Sequence, residues 1–221
     1  MLRTIGLAVM VLAVCCALAA SVSAYRLILI PKGATLTTGQ VKGEYQVRAT
    51  GGGATAYWVN VGLLRLEIEG AWFKGFDTDA VSAPDTNAVS AQISVLPETS
   101  FTPAVALGVR DIGDKTKTDA ADSLYDGRSF YAAASKGLSF VARGLPFVSD
   151  LKVHAGIGTG SLSGVFFGAE VAVSGRLHLA AEYDTHNVNL AARYNVAPIA
   201  QLRVEEIRKD TYFGAALSTA F

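Results

Sequence analysis

From residue 41 to the C-terminus the chain repeats one pattern: segments of about seven to ten residues in which apolar side chains alternate with polar or small ones, divided by Gly, Asn, Asp, Ser or Pro. Period two puts successive side chains on opposite faces of a strand. In 41–48, Val41, Gly43, Tyr45 and Val47 share one face, and Lys42, Glu44, Gln46 and Arg48 the other. Tyr57, Val59, Val61 and Leu63 continue the apolar set after the Gly51-Gly52-Gly53 turn. Leu64, Leu66, Ile68 and Trp72 then oppose Arg65, Glu67 and Glu69. The alternation returns at 89–95, 104–110, 129–136, 151–158, 166–171, 177–184, 188–195, 201–205 and 212–221. The count is about twelve strands. The only weak helix candidate is 138–145.

Composition agrees with a folded chain. Hydrophobic residues make up 51% and charged residues 17%, which argues against disorder. A length of 221 residues suits one all-β barrel domain. Formal net charge is zero, so no basic footprint for nucleic acid is present.

The first 24 residues read as a leader. Arg3 supplies a positive start, residues 5–20 are apolar or small, and Val22-Ser23-Ala24 is a small-residue cleavage site. The apolar run is short of the ~20 residues a membrane helix needs. The expected domains are a signal peptide, 1–24, and a barrel, 25–221. Cys15 and Cys16 both lie in the leader, so the mature chain has no thiol chemistry. Cleavage removes Arg3 and leaves 18 basic against 19 acidic residues, a net charge of about −1.

Alternation alone does not say which face is inside. Three features point to an outward apolar face. Glycines (Gly108, Gly156, Gly158, Gly168, Gly214) sit on the polar face, where a solvated strand gains nothing from them and a crowded interior does. Aromatics gather near strand ends (Tyr45, Trp58, Trp72, Phe73, Tyr131, Tyr183, Tyr194, Phe213), as in the girdles of a membrane barrel. The last segment, with Phe213, Gly214, Leu217 and a final Phe221, resembles the signal read by the outer-membrane assembly machinery. The expected fold is all-β, a closed antiparallel transmembrane β-barrel. In hydrocarbon only closure leaves no unpaired sheet edge. An even count puts both termini on the periplasmic side. Loops 74–86, 111–127 and 207–211 then lie outside and turns 62–64, 96–101, 173–175 and 196–199 inside. The stretch 137–150 is too long for that scheme: it packs on the rim, or the count is off by two.

Twelve strands ~4.8 Å apart and tilted ~40° enclose a cylinder roughly 24 Å across, with a lumen of ~10 Å. The expected inward charges are Arg65, Glu67, Glu69, Arg110, Lys152, His154, Glu170, His178, Glu182, Asp184, Arg193 and Arg203. Interspersed signs suit a paired network that props the barrel or lines a polar conduit. Catalytic signals are weak. No Gly-x-Ser-x-Gly elbow is present. Gly156-Ile157-Gly158-Thr159-Gly160 precedes no helix, against a phosphate loop. His154, His178 and Glu182 are poor metal candidates because the histidines sit on separate strands. No cofactor, metal or catalytic residue is expected.

Several strings resemble the YjbH-like family of outer-membrane barrels over about residues 60–221: Leu96-Pro97-Glu98-Thr99, Gly108-Val109-Arg110-Asp111, Ala134-Ser135-Lys136, Gly156-Ile157-Gly158-Thr159-Gly160, Ala181-Glu182-Tyr183-Asp184, and Asn187-Val188-Asn189 with Arg193-Tyr194. The resemblance implies an outer-membrane protein linked to exopolysaccharide production or secretion, and it brings no catalytic residues. The chain is shorter than the long members of that family. The expectation is a non-enzymatic outer-membrane barrel of a Gram-negative type envelope assisting exopolysaccharide export or surface organisation. Its partners are outer-membrane lipid, the assembly machinery and polysaccharide. The alternatives are a small pore and a lipid-modifying barrel enzyme.

Overall fold

Twelve strands form: β1 (Gln40–Arg48), β2 (Thr55–Leu63), β3 (Leu66–Lys74), β4 (Thr86–Leu96), β5 (Ala104–Arg110), β6 (Ser129–Gly137), β7 (Val148–Gly158), β8 (Gly164–Val173), β9 (Leu177–Tyr183), β10 (Val188–Ala197), β11 (Ala200–Ile207) and β12 (Asp210–Ala220). The computed structural model describes residues 26–50, 53–75, 85–117 and 124–220. The leader 1–24 with its cleavage site, Gly51-Gly52, Phe221 and parts of the expected loops 74–86 and 111–127 lie outside those residues.

Each strand pairs antiparallel with its sequence neighbours, and β1 pairs with β12 to close the barrel. Nine residue pairs, from Gln40↔Ala220 to Arg48↔Tyr212, make that seam. Closure therefore has the same nature as every other contact in the sheet and leaves no edge. The seam puts the start of β1 and the end of β12 together, here called the terminal end. The other is the distal end.

The connection 138–147 settles the count at twelve. It holds one short helix, α1 (Ser139–Ala142), whose Ala142 is buried against the terminal rim. The stretch 207–211, grouped above with the long loops, is instead a two-residue hairpin turn. Arg208 and Lys209 both have positive φ (52° and 75°), as a type I′ turn requires.

The faces are sorted as in a barrel turned inside out. Leu179, Leu190 and Leu217 are 40%, 48% and 62% exposed, whereas Glu182 and Arg193 are 2% and 7% exposed. The outer wall carries Val59, Val61, Ile68, Val89, Ile93 and Leu107 among its exposed apolar residues. The charges that do face outward on described strands, Lys74, Lys136 and Glu206, sit at or near strand ends.

Five of the eight expected girdle aromatics face out: Tyr45, Trp72, Tyr194 and Phe213 are exposed and Tyr183 is half-buried. Trp58, Phe73 and Tyr131 correct the expectation, because all three are buried inside the barrel. Adjacent residues of a strand cannot share a face, so with Tyr57 and Trp72 outward, Trp58 and Phe73 must point inward. Tyr131 fills space left by Gly108, where a Cβ would stand 2.2 Å from its hydroxyl. Exposed Tyr45, Tyr57, Trp72, Phe130, Phe167 and Phe213 cluster toward the distal ends of their strands. Tyr45 stacks on Tyr57 across β1 and β2 at 4.9 Å, and Phe167 on Tyr183 across β8 and β9 at 5.4 Å.

Candidate functional site

The lumen is filled by two insertions. From the terminal end, residues 26–36 run inside the barrel before β1 begins. Leu27, Ile28, Leu29, Ile30 and Leu36 are each 0 or 1% exposed. From the distal end, the β5–β6 connection turns Leu124 and Tyr125 inward, where both are buried. Together with Trp58, Phe73, Leu162, Phe166 and Tyr212 they make an apolar core in the place of a channel.

Among the described residues the N-terminal segment makes no ladder with the wall. A bridge within the segment, Arg26↔Pro31, closes a tight turn in which the Leu27 N–H donates to the Ile30 carbonyl at 2.8 Å. Its other buried backbone groups need partners, because an unpaired buried amide costs about 1–3 kcal/mol. The wall supplies them with side chains. Glu182 of β9 accepts the N–H groups of Ile28, Leu29 and Ile30 at 2.8, 2.7 and 3.3 Å. Arg193 of β10 donates to the Leu27 carbonyl and Arg110 of β5 to the Leu29 carbonyl. Glu67 of β3 accepts the Leu36 N–H at 2.8 Å, Ser135 of β6 the Gly33 N–H at 2.8 Å, and Gln92 of β4 donates to the Ala34 carbonyl at 3.0 Å.

Two side chains of the segment are cations. Arg26 pairs with Glu44 at 2.5 Å and Glu69 at 3.3 Å, and its guanidinium lies 3.9 Å from the centroid of the Trp58 ring. Lys32 reaches Glu170 at 3.9 Å. Burial pushes the Lys32 ammonium below its ordinary value, and Glu170 opposes that shift. A network continues along the wall: Arg203 pairs with Glu44 and Glu205, Arg193 with Glu205 at 3.0 Å, and Gln46 with Glu205 at 2.7 Å.

Of the expected inward charges, Glu67, Glu69, Arg110, His154, Glu182, Asp184, Arg193 and Arg203 are buried in the lumen. Glu170 lines it half-buried, beside Lys32. Lys152 and His178 stand half-buried at the terminal mouth, near Asp150 and Asn195 respectively. Asp184 serves the distal turn, accepting the His186 and Asn187 N–H groups. Arg65 is the correction. It sits exposed in the β2–β3 turn, because β2 ends at Leu63 and the alternation is broken at the positive-φ Leu64. Of the assembly-signal residues, Phe213 and Leu217 are exposed on the outer wall and Gly214 faces the lumen half-buried.

Sequence reasoning left out Arg26 and Lys32, which alternate with nothing and merely flank an apolar run. Glu44 and Glu205 were legible on polar faces but not singled out. Tyr125 gave no signal inside its polar loop.

Ser135, His154 and Glu170 stand in order: Ser135 Oγ is 2.7 Å from His154 Nδ1, and His154 Nε2 is 3.5 Å from Glu170. The N-terminal segment covers this row, with Gly33 on Ser135 and Lys32 on Glu170. As placed, it holds the segment. Among the described residues no group of three His, Cys, Asp or Glu could hold a metal ion.

A cavity of about 100 Å³ opens at the terminal mouth, with Lys32, Lys42, Lys152, Glu170, His178 and Arg193 in its lining. Below it the segment lies tight on the wall. A Cβ on Gly33 would stand 2.3 Å from the Ala104 carbonyl oxygen and 2.7 Å from the Ser135 nitrogen, both backbone. Gly33→Ala should therefore lift the segment, costing about 1–3 kcal/mol. Urea unfolding of the refolded barrel checks this, and an unchanged midpoint would refute the close approach. No known family matches this chain, and no curated protein matches it.

Proposed function

We propose that the protein is a non-enzymatic outer-membrane β-barrel, exported by a leader removed after Ala24 and closed at rest by its own N-terminal segment. The inversion of faces carries this reading: apolar side chains cover the outer wall and charges fill the inside. In water such a surface would be an association hazard; in a bilayer it is the required one. A nine-residue strand rising about 3.3 Å per residue and tilted about 40° crosses about 23 Å, close to the ~25 Å apolar band of such barrels. The aromatics toward the distal strand ends fit one interface. Tyr194, Phe101, Phe140 and Phe147, exposed toward the terminal end, fit the other.

A filled lumen bears on the role. A polysaccharide chain cannot thread a barrel occupied by residues 26–36 and Tyr125. The reading that follows from the YjbH-like resemblance is accordingly an accessory one, organising surface polysaccharide or assisting its export beside a separate conduit. The non-enzymatic part is supported by the burial of Ser135 and His154 under the segment.

Density-gradient fractionation of producing cells tests the reading. The chain is expected in the outer membrane, resistant to carbonate extraction, with Tyr25 as its first residue. Recovery in the soluble periplasm would sink it. The polysaccharide part is tested apart from this, by loss of surface-bound polysaccharide when the chain is removed. An unchanged amount withdraws that part alone.

A further inference from the structure

The terminal mouth gathers cations. Lys32 of the segment, Lys42 of β1, Lys152 of β7 and Arg193 of β10 line its cavity, against two carboxylates, Asp150 and Glu170. These are not ordinary surface charges: Lys32, Lys42 and Arg193 are 3%, 8% and 7% exposed. The ladder sets the lining in one band around the wall. Lys152 stands opposite Glu170, Arg193 opposite His178, Asn195 opposite Gln201 and Lys42 opposite Ser218. Ala172, Ala200 and Ala216 lie among them and leave the room that the cavity occupies.

The carboxylates near these cations are shared or held at a distance. Glu44, 2.5 Å from Lys42, also pairs with Arg26 and Arg203. Glu205, 3.0 Å from Arg193, also pairs with Arg203. Lys32–Glu170 at 3.9 Å and Lys152–Asp150 at 3.7 Å are longer than a hydrogen bond. Burial pushes the Lys32 ammonium down, Glu170 opposes that shift, and the charges of Arg193 and Lys152 add to it. A cleft lined mainly by one sign of charge, between low-dielectric walls, concentrates the opposite ion. Its volume of about 100 Å³ is the room of roughly three water molecules at ~30 Å³ each, enough for one small oxyanion. Arg193 spends its fork on Glu205 and the Leu27 carbonyl, so planar pairing with a carboxylate is not on offer. The ammonium groups of Lys32, Lys42 and Lys152 come from three elements and act as point charges, which suits a tetrahedral phosphate.

We propose that the terminal mouth is a binding site for one phosphate group, which enters between Lys32 of the segment and Lys42, Lys152 and Arg193 of the wall and latches the segment in the barrel. The latch follows from where the cations sit. Lys32 lies between the turn held by Glu182 and the Gly33 that rests on Ser135. A phosphate shared by Lys32 and the wall adds a hold that exists only while the segment is docked, so binding stabilises the docked form by mass action. Free phosphate and a phosphate monoester on an envelope glycan present the same oxygens, and the open mouth leaves space for the rest of an ester. The site does not depend on what bathes the outer wall; that it faces the periplasm rests on the outer-membrane reading above.

Isothermal titration of the refolded mature chain in detergent, at fixed ionic strength in chloride, tests the site. Inorganic phosphate should saturate one site per chain. Lys152→Gln should weaken binding about tenfold, the loss of one charge-assisted hydrogen bond. Lys209→Gln, in the exposed distal turn, should leave it unchanged. Hydrogen exchange tests the latch. At ten times its Kd, a ligand that binds only the docked form slows opening about tenfold. Exchange at residues 28–30 should slow by that factor in the parent, and about twofold in Lys152→Gln at the same phosphate concentration.

Phosphate that does not saturate, or that binds parent and Lys152→Gln alike, overturns the site. Saturable binding with unchanged exchange overturns the latch. Circular dichroism and heat-modifiable gel mobility report whether the barrel is intact. If Lys152→Gln fails to fold, Ser218→Glu decides in its place: it sets a carboxylate opposite Lys42 and should abolish binding. Glucose 1-phosphate in the same titration separates the sources. Tighter binding than inorganic phosphate assigns the site to a phosphate monoester, and weaker binding assigns it to the free ion. All of this is read in detergent, so a failure of the membrane reading leaves these results standing.

Discussion

Replacing Glu182 by leucine is expected to undock the N-terminal segment while leaving the barrel closed. One carboxylate serves three consecutive amides, Ile28, Leu29 and Ile30, and also accepts from Asn189 Nδ2 at 3.0 Å. Leucine of similar bulk accepts from none. Each buried N–H left without a partner costs about 1–3 kcal/mol, so three together, after relaxation, cost on the order of 4 kcal/mol. That energy falls on the segment rather than the sheet, because the β9 backbone stays paired to β8 and β10 through residues 177–183. The segment has an inexpensive escape: it leaves the lumen and gives its amides to water. Hydrogen exchange at residues 28–30 should speed up about a thousandfold, the factor that ~4 kcal/mol of local opening implies. Trypsin should cut after Arg26, which is buried in the parent. Glu182→Gln keeps one acceptor oxygen and should fall between. Exchange at 28–30 as slow in Glu182→Leu as in the parent would show that Glu182 does not hold the turn.

The fold was legible in the sequence because one physical rule covers nearly all of it. A strand covered by protein on its inner face only, and greasy on the outer one, keeps strict alternation, and the strands do so apart from register shifts at the terminal ends of β4, β7 and β10. Glycines on the polar face were a true sign of crowding: a Cβ on Gly168 would stand 2.7 Å from Leu27, and one on Gly156 2.2 Å from Phe166. What crowds them was not legible. Residues 27–30 are apolar without period, which reads equally as the tail of a leader, a buried strand or a plug. Only the three-dimensional positions of Glu182, Arg110 and Arg193, contributed by β9, β5 and β10, show that those charges are matched to a backbone turn. The expected charges other than Arg65 line the lumen or its mouth, but Arg26, Lys32, Glu44 and Glu205, which complete the network, were not singled out, and its purpose was missed. The aromatics failed in a related way. Being near a strand end says nothing of inside or outside, and Trp58 and Phe73 were separable from Tyr57 and Trp72 only by parity.

Leu179→Arg is the substitution that best separates a bilayer from water around the outer wall. Leu179 is third of the seven residues of β9, faces outward beside Ala192 and Val171, and is 40% exposed. In water, exchanging an exposed leucine for arginine on a strand changes stability by about 0.5 kcal/mol or less. In a membrane the same exchange near mid-depth costs about 2–4 kcal/mol, and close to an interface about 0–1. Val188, the first residue of β10 at the distal end, supplies the shallow comparison: it also faces outward, 66% exposed. Unfolding by urea from phospholipid vesicles should therefore show Leu179→Arg less stable than Val188→Arg by about 2 kcal/mol or more. The same pair in a wall bathed by water would differ little, because both sites are open and neither side chain has a polar neighbour to lose. Near-zero costs at both positions would mean that the apolar belt is covered by something other than hydrocarbon.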